Sequence, residues 1–269
     1  STPPETAQDD SVIQEKIDRY LSTTNPGEEA EVVADLKSSG VTTVKLRELI
    51  RKRPLSNTGK AGTFINQPVM SGGKKYPFAL FAPPMEKGKK YPLVIILHGA
   101  GGNGKSTLTR WVKRLGDDFI IACPSYPMGA RWSFRAEAMV LNLIQHLRLN
   151  YPIDANRVLL AGMSNGAVGA YMLGMFYPDY FAGVVPIAGT ISERYMHFLV
   201  NMVNTPIYSI QGEHDPIFPI KFSQRIRKIM TTMKYPAVFR EHDQKISAHG
   251  GHFLPENEIP ALLTWMKNT

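Results

Sequence analysis

Five short runs of the chain are almost wholly apolar: "LVIIL" (93–97), "FIIAC" (119–123), "RVLLAG" (157–162), "GVVPIAG" (183–189) and "IYSIQG" (207–212). Each is too short for a buried helix and lacks the polar alternation of a half-exposed strand, so each reads as a strand covered on both faces. Segments of helical length and pattern separate them: one after Lys105, one over 134–149, one running through Tyr177, one over 220–233, and a last one carrying Leu262, Leu263, Trp265 and Met266. "AVFREHD" adds a final strand. "TFINQPVM" and "YPFALFAPP" around "SGGKK" predict an opening hairpin. The expectation is an α/β protein with a mostly parallel central sheet and helices on both faces.

The first quarter follows a different rule. Residues 1–10 have no apolar anchors and are expected to be disordered. Residues 11–54 are helical in pattern: Ile13, Ile17, Tyr20 and Leu21 share a face, "NPG" interrupts, and Val32, Val33 and Leu36 make a second stripe ending at Gly40. A third helix carries Leu46, Leu49 and Ile50 inside the basic run "KLRELIRKR". Three short helices enclose little core of their own, so this extension is expected to pack on the main body. Residues 55–62 read as a linker, and 63–269 as the α/β domain.

The formal charge of +8 comes from scattered Lys and Arg, which fits a solvated basic surface better than a nucleic-acid footprint. No run approaches the roughly 18 apolar residues of a membrane span. The single cysteine, Cys123, excludes an intramolecular disulfide and falls inside a strand, where packing suits it better than reactivity. The polar start "STPPETAQDD" reads as a processed terminus, compatible with a secreted or periplasmic address and equally with a cytoplasmic one.

The chemistry is concentrated in "LLAGMSNGAVGAYM". Gly162-Met163-Ser164-Asn165-Gly166 matches G-x-S-x-G between an apolar strand and a helix, a sharp turn that lifts the Ser164 hydroxyl above the sheet. A serine hydroxyl needs a base, and the base needs an orienting carboxylate. Asp215 lies just past the strand "IYSIQG", and His252 lies in "SAHGGHFLP" after the last strand. All three therefore fall at carboxyl ends of strands, where open parallel sheets place their sites. Glu213 and Asp243 compete for the role of acid and His249 for that of base. Asp215 is preferred because "PIFP" starts the next helix, and His252 because Gly250 and Gly251 free its loop to turn the ring inward.

"HGAGGNGKST" admits two readings. From Gly99 it satisfies the phosphate-binding pattern G-x-x-x-x-G-K-[ST], with Lys105 and Ser106 in place. From His98 it is a glycine-rich turn whose backbone amides can hold an oxyanion: Ala100, with Gly101 as the alternative, together with Asn165. A nucleotide site also needs an apolar strand ending in Asp to hold magnesium. The five runs lead into His, Pro or Gly instead, which favours the oxyanion reading.

Together, "LHGAGGNG", "GMSNGA", "GEHDPIFP" and "GGHFLP" resemble the α/β-hydrolase superfamily over about residues 63–266. The chain is most similar there to polyhydroxybutyrate-depolymerase-like, feruloyl and acetylxylan esterases and to the phospholipase/carboxylesterase group. The resemblance implies a carboxylic ester hydrolase without metal or organic cofactor, with Ser164 as nucleophile, Asp215 as acid and His252 as base. A prolyl-oligopeptidase-type serine peptidase shares that triad and fold, and is the alternative enzyme; a nucleotide-binding protein and a binding protein that merely kept the fold are the non-hydrolase readings. Trp132 and Arg131, in "GARWSFRAEA", are expected at the mouth of the site, as a stacking surface and an anion contact or else as packing and solvated residues. "TISERYMHFLVNMVN" (190–204) reads as a helix in which Tyr195, Phe198, Leu199 and Met202 form a core stripe or a wall of an acyl pocket. With so little sequence for a lid, the expected substrate is a polar or polymer-attached ester, bound in an open cleft.

Overall fold

The computed structural model describes residues 9–52, 59–127, 132 and 135–269. Its N-terminal part is three helices, α1 (Asp10–Ser22), α2 (Pro26–Ser38) and α3 (Thr43–Lys52). Local chemistry sets their starts: the Asp9 carboxylate accepts from the Ser11 N–H at 3.1 Å, and Asn25 accepts from the Gly27 N–H at 2.9 Å with Pro26 opening the helix. Ile13, Ile17 and Leu49 are buried in a small cluster of their own, against Leu21, Leu36, Val41 and Leu46. Tyr20 and Ile50, expected on these stripes, are exposed. Each sits one position, about 100° of helix, away from the residue that does point inward, and three short helices cover only a narrow wedge. The Gln145 side chain ties the extension to the main body by donating to the Leu21 carbonyl at 2.8 Å.

The main body is an eight-stranded sheet: β1 (Gly62–Ser71), β2 (Lys74–Ala82), β3 (Tyr91–Leu97), β4 (Ile120–Pro124), β5 (Ile153–Met163), β6 (Gly183–Ile187), β7 (Ile207–Gly212) and β8 (Ala237–His242). The spatial order is β1-β2-β4-β3-β5-β6-β7-β8. β1 and β2 form the antiparallel hairpin, its turn made by Gly72 and Gly73 at φ 55° and 73°, values that a two-residue hairpin turn requires and L side chains resist. β2 pairs antiparallel with β4, and every later pairing is parallel.

The apolar runs behave as two-sided strands. Leu93, Ile95 and Leu97 face one core layer with Met139, Leu143 and Leu147 of α5 (Arg135–Asn150) and Tyr171 and Leu173 of α6 (Asn165–Phe176). Val94 and Ile96 face the other, with Leu108 and Trp111 of α4 (Gly104–Leu115) and Leu262 and Met266 of α8 (Ile259–Asn268). β8 alternates between half-buried and exposed residues along most of its length, as an edge strand does. Between β7 and β8 runs α7 (Ile220–Thr232). Cys123 is fully buried in β4, and burial pushes its thiol pKa up, which keeps it protonated and inert.

One segment differs from its expected form. Residues Glu193–Met202 are 3-10 helical, not α-helical, and Leu199 and Met202 are buried in the first core layer. Through these residues the segment supplies a core stripe, the first of its two expected roles.

Candidate active site

β5 ends at Met163 and α6 begins at Asn165, so Ser164 alone makes the corner. It does so at φ 58° and ψ −120°, in backbone space that a side chain ordinarily avoids. Two anchors hold it there: its N–H donates to the Ile187 carbonyl of β6 at 2.9 Å, and its own carbonyl accepts from the Ala167 N–H at 2.9 Å. The flanking glycines are demanded by contact. A Cβ on Gly162 would lie 2.0 Å from the Gly166 carbonyl oxygen, and one on Gly166 would lie 2.1 Å from that of Leu97. The strand, the corner and the helix touch backbone to backbone.

Two further strand ends bring their loops to this corner. The His252 Nε2 is 2.9 Å from Ser164 Oγ, and its Nδ1 is 2.8 Å from Asp215 Oδ2. Because a carboxylate only accepts, Nδ1 carries the ring proton and Nε2 is left to accept from the serine hydroxyl. Both side chains are buried, and the Phe218 ring stacks on the imidazole at 5.9 Å between centroids. Asp215 is held from four directions: Oδ1 accepts from the N–H groups of Ile217 and Phe218, and Oδ2 from His252 and the Gln211 amide at 3.0 Å. The rivals lie elsewhere. Glu213 and Asp243 are exposed, and His249 is an exposed residue on the cavity rim.

The turn after β3 is fixed by His98. Its Nε2 accepts from the Tyr126 N–H at 3.1 Å, so the proton sits on Nδ1, which donates to the Gly99 carbonyl at 2.7 Å. The Gly102 N–H donates to the same carbonyl. In a trans peptide the Ala100 N–H is antiparallel to the Gly99 carbonyl, so pinning one aims the other. The phosphate reading of this stretch fails on the same kind of accounting. The Gly104 N–H donates to Ser125 Oγ at 2.8 Å and the Ser106 N–H to Asn103 Oδ1 at 2.9 Å. Amides that a phosphate would need are already engaged within the protein.

Burial holds the His98 imidazole below the ordinary value of about 6.5, against the opposing pull of its bond to Gly99. As pH falls through the unfolded value, the unfolded chain takes up a proton that the folded chain resists. The contribution of neutral His98 is therefore present at neutral pH and is lost on acidification. His98→Gln should be less stable than wild type near pH 7.5, with the gap narrowing towards pH ~5 in thermal melts. Melting curves that stay parallel across that range would contradict this role for His98.

Trp132 requires a correction. It is 3% exposed, its Nε1 donates to the His98 carbonyl at 2.8 Å, and its ring meets the His98 ring edge-on at 4.9 Å. A Cβ on Gly169 would come within 2.3 Å of it. It is wedged between the end of β3 and α6, beneath the site instead of at its mouth, because the indole N–H finds its partner in the buried strand end. Arg131 lies outside the described residues.

A cavity of about 400 Å³ opens over Ser164 and His252, with Ala100, Arg110, His249, Ile246 and Phe253 among its walls. Two contributors escaped the sequence reading. Gln211 is a buried polar side chain in a strand of buried residues, four positions before Asp215, and that interruption is a legible signal. Arg110 is one of several basic residues on α4, and no local pattern singles it out.

Residues 134–269 match the sequence model of the phospholipase/carboxylesterase family. A stretch of 50 residues is 38% identical to poly(3-hydroxyalkanoate) depolymerase C of Paucimonas lemoignei, covering 19% of this chain and 12% of that protein. Among solved structures, a thermostable esterase superposes with a TM-score of 0.63 at 21% identity over 77% of this chain and 62% of the esterase. A fluorophosphonate-binding serine hydrolase of Staphylococcus aureus gives 0.65 at 13% identity over 78% of this chain and all of that one. At such identities the likeness is one of fold, the α/β-hydrolase fold, and the chain spans only part of the depolymerase and of the thermostable esterase.

Proposed function

The chain belongs to the phospholipase/carboxylesterase family, and we propose that it is a serine esterase that hydrolyses carboxylic esters through an acyl-enzyme on Ser164. The observation that carries this reading is the unbroken run of contacts Ser164–His252–Asp215, assembled from three strand ends beside an open cavity. His252 takes the serine proton as Oγ attacks the ester carbonyl. The imidazolium is stabilised by Asp215, whose orientation is set by Gln211 and the two loop amides. The N–H groups of Ala100 and Asn165 receive the charge on the tetrahedral oxygen, and the amino end of α6 adds its dipole. His252 then returns the proton to the departing alcohol and activates water against the acyl-enzyme.

The shape of the cleft supports a polar or polymer-attached substrate. The Glu193–Met202 segment is packed into the core, leaving room for a polar or polymer-attached ester to reach Ser164. The depolymerase relative carries a polymer ester in its name, which agrees with that reading.

The test is a fluorophosphonate probe followed by peptide mass mapping, alongside turnover of p-nitrophenyl acetate and butyrate and of a proline-containing peptide anilide. One adduct, on Ser164, with ester turnover and an intact anilide is the expected result. Turnover of the anilide in preference to the esters would replace the esterase reading with a peptidase one. An unlabelled Ser164 and no turnover of either would remove both.

A further inference from the structure

Arg110 stands at the end of the second turn of α4 and lines the same cavity as Ser164 and His252. Its Nε donates to the Ser106 carbonyl one turn back, at 3.3 Å, which lays the side chain along the helix toward its amino end, as helical side chains favour. Among the described residues no carboxylate lies within ion-pair distance of its guanidinium. The described walls of the cavity contain no Asp or Glu at all, and the one acid of the site, Asp215, is committed to His252.

The same side chain also lines a second recess, of about 500 Å³, with Lys113, Arg114, Glu256, Ile259 and Pro260. The charges there do not cancel. Arg114 is paired with Glu256 at 2.6 Å and lies over the Trp111 ring, whereas Lys113 is exposed and, among the described residues, has no ion pair. Arg110 lines both recesses, and it and Lys113 are two cations without an ion pair among the described residues. A neutral ester has no use for these cations. A carboxylate meets a planar, always-charged fork that can take both oxygens at once, with no competing acid beside it.

Building on the esterase reading above, we infer that the substrate of this site is an ester bearing a carboxylate, and that Arg110 binds that carboxylate while the ester carbonyl lies at Ser164. Arg110 is thus a specificity-determining residue, and Lys113, one turn on, adds positive charge for the remainder of an anionic chain.

Two matched pairs of esters test this and locate the anion. In the first, mono-p-nitrophenyl adipate and its methyl ester differ only in a carboxylate on the acyl part. In the second, 4-acetoxybenzoate and its methyl ester differ only in a carboxylate on the leaving group. In wild type the charged member of at least one pair should be favoured in kcat/KM by about tenfold, chiefly through KM, and the preference should weaken as ionic strength rises. Arg110→Ala should erase that ratio, Arg110→Lys should keep part of it, and Arg110→Glu should invert it. The pair that responds identifies which side of the ester carries the anion. Ratios near one in wild type, or ratios that none of the three substitutions moves, would overturn the inference.

Ser164→Ala, run on the neutral esters, separates the two layers of the argument. Loss of neutral turnover in that variant with unmoved charge ratios sinks the anion inference alone. If wild type turns over no ester, titration of monomethyl adipate into the protein by calorimetry decides. Binding that Arg110→Ala removes keeps the anion site while the esterase reading fails, and binding that persists in Arg110→Ala, or is absent, removes the anion site as well.

Discussion

Ser164→Ala should lower kcat for p-nitrophenyl butyrate on the order of 10⁵-fold or more, while leaving a folded protein. The size of the effect follows from the division of labour in the site. On the proposed mechanism, removing Oγ would abolish the acyl-enzyme and leave His252 and Asp215 positioning nothing, since residues of such a set act as a unit. The stabilisation proposed for the Ala100 and Asn165 amides would survive, enough for a small residual rate above water. The positive φ at this position is no less costly for alanine than for serine, so thermal stability should hardly move. Asp215→Asn should fall less far, by about 10⁴-fold, because the nucleophile stays and only the tautomer and charge partner of His252 are lost. A Ser164→Ala protein with wild-type turnover would place the chemistry at another nucleophile.

The largest loss of stability is expected at Gly166. Its Cα faces the carbonyl ends of β3, where a Cβ would sit 2.1 Å from the Leu97 oxygen, 2.7 Å from the Leu97 carbonyl carbon and 2.9 Å from the His98 oxygen. These are backbone atoms at the end of β3, where Leu97 pairs with Gly162 of β5, and of the turn after it, and they cannot swing aside as a side chain end could. Gly166→Ala must therefore push α6 off the sheet or displace the His98 turn. Either route should cost about 4 kcal/mol or more, the upper end for single substitutions, read as a shift of the urea midpoint or as insoluble protein. Gly88→Ala supplies the contrast. Nothing lies within 4 Å of its Cβ position, so only the positive φ of 81° is penalised, at about 1 kcal/mol. Equal denaturation midpoints for the two variants would mean that α6 does not bear on β3 as described.

Much of the architecture was readable from local pattern. The run lengths at 93–97, 119–123, 183–189 and 207–212 demanded strands covered on both faces, and β3, β4, β6 and β7 are indeed buried residue by residue. The G-x-S-x-G corner was readable because its requirements are met within five consecutive residues. Reading was weaker where a stripe had to choose a direction. Periodicity lets Tyr20 and Leu21, or Leu49 and Ile50, flank one broad apolar stripe, and only the packing of three helices decides that Tyr20 and Ile50 stay in water. Trp132 illustrates the same difficulty: composition marks an indole as a good stacking surface, but its partner is a carbonyl 34 residues away in sequence.

The sequence alone determined the alternation of strands and helices, the corner at Ser164 and the set of acids and bases near strand ends, because each depends on neighbours along the chain. The tertiary structure decided which of them meet. Ser164 and His252 are 88 residues apart and come within 2.9 Å only because β5 and the loop after β8 end on one edge of a parallel sheet. It also decided that the amides of Gly104 and Ser106 are engaged by Ser125 and Asn103, that Gln211 holds Asp215, and that Arg110 lines the cavity of the serine with no ion pair among the described residues. Hydrogen-bond satisfaction and charge compensation are properties of what surrounds a group in space, and the order of residues along the chain does not record them.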